Sequence, residues 1–425
     1  MAAAPLSLTL YRYTTMALAP IVPLALRQRA SRGKEDRSRL RERLGFASRP
    51  RPGGTLIWIH GASVGETLAA LPLIDGLLKG PGRHVLVTSG TVTSASLMLE
   101  RLPERAFHQF APVDTPGAIR RFLDHWQPDV GLFVDSEVWP NYLSAAHARG
   151  VKLALVNGRM SARSFSGWQR LRRMAAALLS KYAVCLAQDE ETAARLTGLG
   201  ARNVEVTGSL KADAEPLLAD AENLQVLKNA IGARPVLLAV STHAGEDDAI
   251  LAARDELQRQ YPDVLTIIVP RHPERGGEIA ELCRPRSAAR RSQGALPNAE
   301  TVMYVGDTLG ELGLFYRLAP FAFIGGSLVP HGGQNPLEAA KLHCAVLAGP
   351  RTANFAKAYE AVFAAQGFGR VFSGSEIASL AARLIINSTD AVAAGDAAAE
   401  AAAQLGGALK RTRAAVEALL VNARA

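Results

Sequence analysis

Residues 55–78 read TLIWIHGASVGETLAALPLIDGLL: six mostly apolar residues, a turn of small residues, then a run with helical character. An apolar strand running through a tight turn into a helix is the opening of a βα unit, and the pattern recurs. HVLVTSG (84–90), DVGLFVD (129–135), VKLALVN (151–157) and AVCLAQD (183–189) form one series; PVLLAVS (235–241), VLTIIVP (264–270), TVMYVGD (301–307) and PFAFIGG (320–326) form a second. Continuous apolar strands separated by helices indicate parallel sheets covered on both faces. Two such series predict an α/β protein of two Rossmann-like, doubly wound domains. The expected division is a basic N-terminal arm (1–34), a first domain (35–207), a linker (208–222), a second domain (223–390) and closing helices (391–425).

At 425 residues and 48% hydrophobic content, the chain can bury two cores. Its three cysteines, Cys185, Cys283 and Cys344, are far apart and form neither a disulfide framework nor a zinc pattern, which fits a reducing compartment. The net charge of +9 is concentrated: residues 1–51 hold eleven Lys/Arg against three Asp/Glu, so the remainder is close to neutral. That distribution argues against nucleic acid and for a surface-binding arm. Within the arm, YTTMALAPIVPLAL (13–26) is apolar but short of the ~20 residues of a membrane span and is interrupted by Pro20 and Pro23. RQRASRGKEDRSRLRERLGFASRPR (27–51) is densely cationic. A monotopic anchor or marginal span is expected, with the body on the cytoplasmic side and cations against anionic lipid. A cleaved signal peptide is disfavoured, since its charge would precede the apolar stretch.

In open α/β sheets, ligands bind beyond the carboxyl ends of strands, so the chemistry should follow the apolar runs. In the opening stretch, Ser63 and Glu66 satisfy the S-x-x-E capping box, and a general base would occupy the same position. Neither G-x-G-x-x-G nor a P-loop is present there. DVGLFVDSEVWPN (129–141) supplies Asp135 and Glu137, two carboxylates able to hold a divalent ion or act as polar partners in a cleft, with Lys211 in position to meet Glu137 or a substrate anion. HGGQNPLEAAKL (331–342) carries a phosphate signal: Asn335 as cap, Pro336 at the first helical position, Glu338 at the capping-box position. VPRHPER (269–275) adds Arg271, His272 and Arg275, and GDTLGEL (306–312) adds Gly310 and Glu311. In STHAGEDD (241–248), His243 and Glu246 are too sparse for a metal site, and a loop-stabilising role is expected; no metal is assigned.

Taken in order, HGASVGE, SEVWPN, NGRMSARS, GSLKAD, STHAGED, VPRHPER, GDTLGEL and GGSLVPHGGQNPLEAA, spread over about residues 35–370, resemble the 3-deoxy-D-manno-octulosonic acid (Kdo) transferases of lipopolysaccharide synthesis. The resemblance implies a GT-B-type glycosyltransferase at the inner membrane, moving Kdo from CMP-Kdo onto lipid A precursor (lipid IVA) without metal or other cofactor. It further implies Glu66 as proton acceptor and Glu137 and Lys211 as transition-state stabilisers. Pro270, Arg271, Leu309, Gly310, Glu311, Asn335, Pro336, Leu337 and Glu338 become CMP contacts. Gln334, Ser136 and Ser209 stand where the family more often has His, Thr and Asn, which bears on donor and acceptor preference. A GT-B enzyme using a UDP-sugar on another membrane acceptor, or a membrane-tethered nucleotide-binding protein in which Glu66 only caps, are the alternatives.

Overall fold

The computed structural model describes residues 5–284 and 286–424, with side chains through Val421. Contacts divide the chain into two units, residues 1–214 with 406–425, and residues 215–405.

The first unit holds a seven-stranded, wholly parallel sheet: β1 (Thr55–His60), β2 (Arg83–Ser89), β3 (Ala106–Phe110), β4 (Val130–Val134), β5 (Lys152–Gly158), β6 (Tyr182–Ala187) and β7 (Val204–Val206). Its order is β3-β2-β1-β4-β5-β6-β7, so the topology reverses between β1 and β4. Side chains alternate across a strand. Leu56 and Trp58 of β1 therefore enter one core with Phe122, Trp126 and Tyr142, while Ile57 and Ile59 enter the other with Leu73 and Leu77. That alternation also puts His60 on the Trp58 face.

The second unit repeats the plan with β8 (Val236–Thr242), β9 (Leu265–Pro270), β10 (Ala288–Arg290), β11 (Met303–Val305), β12 (Phe321–Ile324), β13 (Ala345–Ala348) and β14 (Phe368–Arg370). All neighbours are parallel, in the order β10-β11-β9-β8-β12-β13-β14, with the reversal between β8 and β12. Two doubly wound parallel sheets were expected, and two are found.

Several sequence expectations are corrected. The closing helices do not act together: Ser388–Gln404 belongs to the second unit, whereas Ala408–Arg424 returns to the first and places Val416 and Leu420 in its core. The linker is likewise shared, its turn Leu210–Asp213 lying in the first unit and the chain from Glu215 in the second. The apolar stretch of the arm is not one segment but parts of two helices, α1 (Leu6–Leu18) and α2 (Val22–Ser31), parted at Pro20. Some of the cationic flank is internal structure. The short helix α3 (Leu40–Arg43) sits beside β3, where Glu42 accepts from the Phe110 N–H at 2.7 Å and from Arg39 at 2.8 Å. Arg29 and Arg43 pair with buried Glu35. Among the described residues no single helix is long and apolar enough to cross a membrane.

Candidate functional site

In each unit, loops beyond the carboxyl ends of the strands carry the flagged residues. In the first unit, β1 runs through Gly61–Ser63 into helix α4 (Val64–Leu78), capped by Ser63. Gly61 permits a close approach: a Cβ there would lie 3.1 Å from the Glu66 Cβ, tight enough that Glu66 would have to give by a few tenths of an ångström. Glu66 sits in the first turn, Oε2 accepting from the Ala62 N–H at 2.6 Å and Oε1 from the Ser63 hydroxyl at 2.8 Å. Half of the capping box is realised: Ser63 accepts from the Glu66 N–H at 3.4 Å, whereas the Glu66 carboxylate takes the Ala62 N–H in place of the Ser63 N–H. This leaves further acceptor capacity on a partly exposed carboxylate, because each carboxylate oxygen has two lone-pair sites.

Across the reversal, β4 ends in Asp135, whose φ of 69° lies in the left-handed region. Its N–H donates to Val156 O at 3.0 Å, and its O accepts from the Arg159 N–H at 3.2 Å. Burial above all, opposed by Lys211 and Arg159 and aided by Glu66 and Glu137, leaves the Asp135 carboxyl raised to about 6. The three residues named from sequence thus converge electrostatically on Asp135. Lys211 is delivered by Asn157, itself left-handed at φ 54°, whose Oδ1 accepts from the Leu210 N–H at 2.9 Å.

Glu137 is fixed from several sides. Tyr182 donates to its carbonyl at 2.9 Å, the Trp139 indole donates to Oε2, and the buried His60 Nε2 lies 3.4 Å from Oε2. Burial raises this carboxyl, but His60 and Trp139 outweigh that and hold it below the usual range. Beside it opens a largely apolar groove of about 380 Å³, lined among others by Tyr11, Trp139, Trp168 and Leu171.

In the second unit, the loops after β8 and β12 are tied by one residue. Glu246, fully buried, accepts from the backbone N–H groups of His243, Gly326, Ser327 and Leu328 at 2.6–3.0 Å. Its expected role as a loop stabiliser takes this physical form. Gly325 is obligatory, since a Cβ would lie 2.4 Å from Ser241 O. His243 stacks on His331 at 4.2 Å between centroids and meets the Gln334 amide at 3.1 Å. Burial and the neighbouring His331 lower its pKa.

Of the flagged donor-site residues, Pro270 is buried at the end of β9 and Arg271 is exposed. Arg275 is withdrawn from the expected cationic set: it pairs with Asp247 at 2.5 Å and Glu278 at 3.3 Å. Leu309 is exposed, Gly310 takes φ 82°, and Glu311 is held by Arg291 at 2.6 Å and by Thr308. The helix after Asn335 is a single turn, Leu337–Ala340, with Pro336 as its N-cap rather than its first residue. A one-turn helix has little dipole, so the expected helix-terminus attraction for an anion is weak there. Asn335 still caps, accepting from the Leu337 N–H at 3.1 Å and donating to Glu338 at 3.2 Å. Among the described residues no group of three or more His, Cys, Asp or Glu is placed to hold a metal ion.

A family model described as 3-deoxy-D-manno-octulosonic-acid transferase (kdotransferase) matches residues 38–214. The 3-deoxy-D-manno-octulosonic acid transferase of Rickettsia bellii is 34% identical over 87% of this chain and 89% of its own. That of Bordetella pertussis is 37% identical over 96% of this chain and 98% of its own. The chain belongs to the Kdo transferase family. It is accordingly a glycosyltransferase. In fold it is similar to Anabaena HepE in complex with UDP and glucose, with a TM-score of 0.58 at 12% identity, covering 86% of this chain and 99% of that one. The two parallel-sheet units are those of the GT-B type.

Sequence reasoning about this Kdo transferase missed His60, Thr88 and Asn157. His60 reads as the last residue of an apolar strand; a lone imidazole closing such a strand next to a glycine turn is the signal that was available.

Proposed function

We propose that the chain transfers Kdo from CMP-Kdo to a lipid A precursor, lipid IVA, by an inverting, metal-independent displacement at the cytoplasmic face of the inner membrane. The observation that carries this reading is the partly exposed Glu66, set at the reversal point of the first sheet among Asp135, Glu137 and Lys211, in a chain homologous to Kdo transferases. In the reaction an acceptor hydroxyl loses its proton to Glu66 as its oxygen bonds to the anomeric carbon of Kdo, and the bond from that carbon to the CMP phosphate breaks. Lys211 and Glu137 are proposed to stabilise the charge redistribution. Arg271 and the loops around Gly310 and Asn335 hold CMP, preorganised donors facing the charge on the departing phosphate.

Two features support a lipid acceptor. The apolar groove beside Glu137 suits an acyl chain. Helix α1 is two-sided: Leu8 and Tyr11 pack onto the core, Tyr11 donating to Asp114 at 2.8 Å, while Leu6, Leu10 and Tyr13 face outward and exposed. A helix held flat with an apolar outer stripe fits an interfacial anchor.

The test is transfer with purified protein, CMP-Kdo generated in situ and lipid IVA, with products weighed by mass spectrometry. CMP is expected to inhibit, UDP not, and EDTA to have no effect. Glu66→Gln preserves the cap, since an amide accepts from the Ala62 N–H and donates to the Ser63 hydroxyl. It is expected to keep its melting temperature and lose transfer by roughly a hundredfold or more. A variant that retains turnover would remove Glu66 as the base.

A further inference from the structure

His60 lies outside every role assigned above, yet its surroundings leave it one orientation. It is 3% exposed and enclosed by the rings of Trp58, Phe133 and Tyr142, with centroids 5.3–6.4 Å from its own. Its Nδ1 meets the Thr88 hydroxyl at 3.0 Å, and the same hydroxyl oxygen accepts from the Trp58 indole N–H at 2.9 Å. An indole N–H only donates. Thr88 therefore accepts there. A second acceptance, from Nδ1, would strand its own proton and turn a bare Nε2 lone pair toward the Glu137 carboxylate, so Thr88 donates to Nδ1 and the imidazole hydrogen is on Nε2. That Nε2 lies 3.4 Å from Glu137 Oε2 without hydrogen-bond geometry and has no hydrogen-bond partner elsewhere among the described residues.

We propose that His60 is a positioning residue for Glu137: the chain Trp58–Thr88–His60 fixes the imidazole tautomer, and its Nε2–H holds the Glu137 carboxylate in one orientation and as its anion. At 3.4 Å in a buried, ring-lined setting the attraction between Nε2–H and the carboxylate is electrostatic, and burial strengthens it. The ionisable groups facing this pair are few. Asp114, from the loop after β3, interacts electrostatically with His60; Tyr142, from the helix Pro140–Ala148, donates its hydroxyl to Pro112 O; Asp135 shares the β4 loop with Glu137 and feels its charge. From β1 and β2, Trp58 and Thr88 meet the ring; from β6, Tyr182 donates to the Glu137 carbonyl and feels its charge. The role deepens the reading of Glu137 as part of the transfer machinery and rests on it.

Two measurements separate the pair from that reading. Imidazole 15N NMR of the full chain, without substrates, is expected to give Nε2 protonated and Nδ1 unprotonated for His60. Thr88→Val is expected to disturb this pattern. A proton on Nδ1, or a pattern untouched by Thr88→Val, would overturn the proposal whatever the chain catalyses. Kinetics then read the role. The Asn amide nitrogen occupies the place of Nδ1, and the Gln amide nitrogen that of Nε2. His60→Asn should lower kcat roughly ten- to a hundredfold at unchanged CMP affinity, as loss of an orienting partner does. It should also move the acidic limb of the rate profile to higher pH, because Glu137 loses what pulls its pKa down. His60→Gln, keeping a donor toward Glu137, should restore most of the rate and the position of the limb. Equal losses in both variants with an unmoved limb would reduce His60 to packing. A wild-type chain without turnover would overturn the transfer reading and any role in it, with the spectra still deciding the hydrogen-bond chain.

Discussion

Asp135 is held in a conformation and an environment that both work against its ionised form. Its left-handed φ is one that Asp and Asn tolerate better than most residues. Burial, followed by the opposing effects of Lys211, Glu66, Arg159 and Glu137, leaves its pKa at about 6. A carboxyl raised in the folded state is most favourable to folding while protonated; its contribution is intact below the unfolded value near 4 and is lost as pH rises through about 6. Asp135→Asn keeps the backbone conformation and removes the ionisation. It is expected to raise the melting temperature above pH 6 and to leave it nearly unchanged near pH 4, read by thermal melts across that range. A uniform shift at both pH values would show that ionisation is not the cause. The acids themselves were legible in the sequence, because strand-end loops collect them and the strands were plain. The residues that aim them were not: Asn157 and His60 act through a backbone φ, a tautomer and a neighbour distant in sequence, none of which has a local pattern.

At the scale of elements, legibility followed burial. Nine strands showed as continuous apolar runs because the sheets are covered on both faces. Of the remaining five, four escaped for physical reasons. AFHQF of β3 carries His108 and Gln109, which pair with Ser89 and Trp126, so its buried polar residues masked the strand. Strands β7, β10 and β14 are three-residue strands at the sheet edges whose residues are not buried, so no apolar run marks them. The fifth, β13, is as buried and apolar as the equally short β12, and its pattern was present in the sequence. Helix α1 shows the reverse problem. Its composition announced an apolar segment, but only the packed stripe at Leu8 and Tyr11 reveals which residues are left for a surface. If α1 lies in a membrane interface, Leu10→Glu should weaken cosedimentation with phosphatidylglycerol-containing vesicles several-fold. Leu10 is 65% exposed and not part of the packed stripe, so stability should be untouched. Unaltered cosedimentation would remove α1 as the anchor.

For the whole molecule, the chain leaves the first unit at Ala214, builds the second, and comes back at Gly406. The return is fastened: Asp213 accepts from the Gly407 N–H at 2.6 Å and from the Leu409 N–H, Arg411 donates to Thr207 O at 2.7 Å, and Arg83 grips Glu417 at 2.6 and 2.7 Å. The alanine-rich tail gave no hint of this, because a helical pattern states which face is apolar and not which sheet receives it. Leu420 is buried in the core that also holds Ile57 and Leu77 of the first unit. Truncation to Ala deletes buried methyl groups and leaves a cavity, at a cost of about 2–5 kcal/mol. All four tryptophans lie in the first unit, at 58, 126, 139 and 168, so their fluorescence reports it separately from the second. Leu420→Ala should therefore lower the denaturation midpoint seen by tryptophan fluorescence while leaving CMP affinity, measured by calorimetry under native conditions, unchanged. A loss of CMP affinity with an unmoved fluorescence midpoint would assign the last helix to the second unit, as its position in the chain alone suggests.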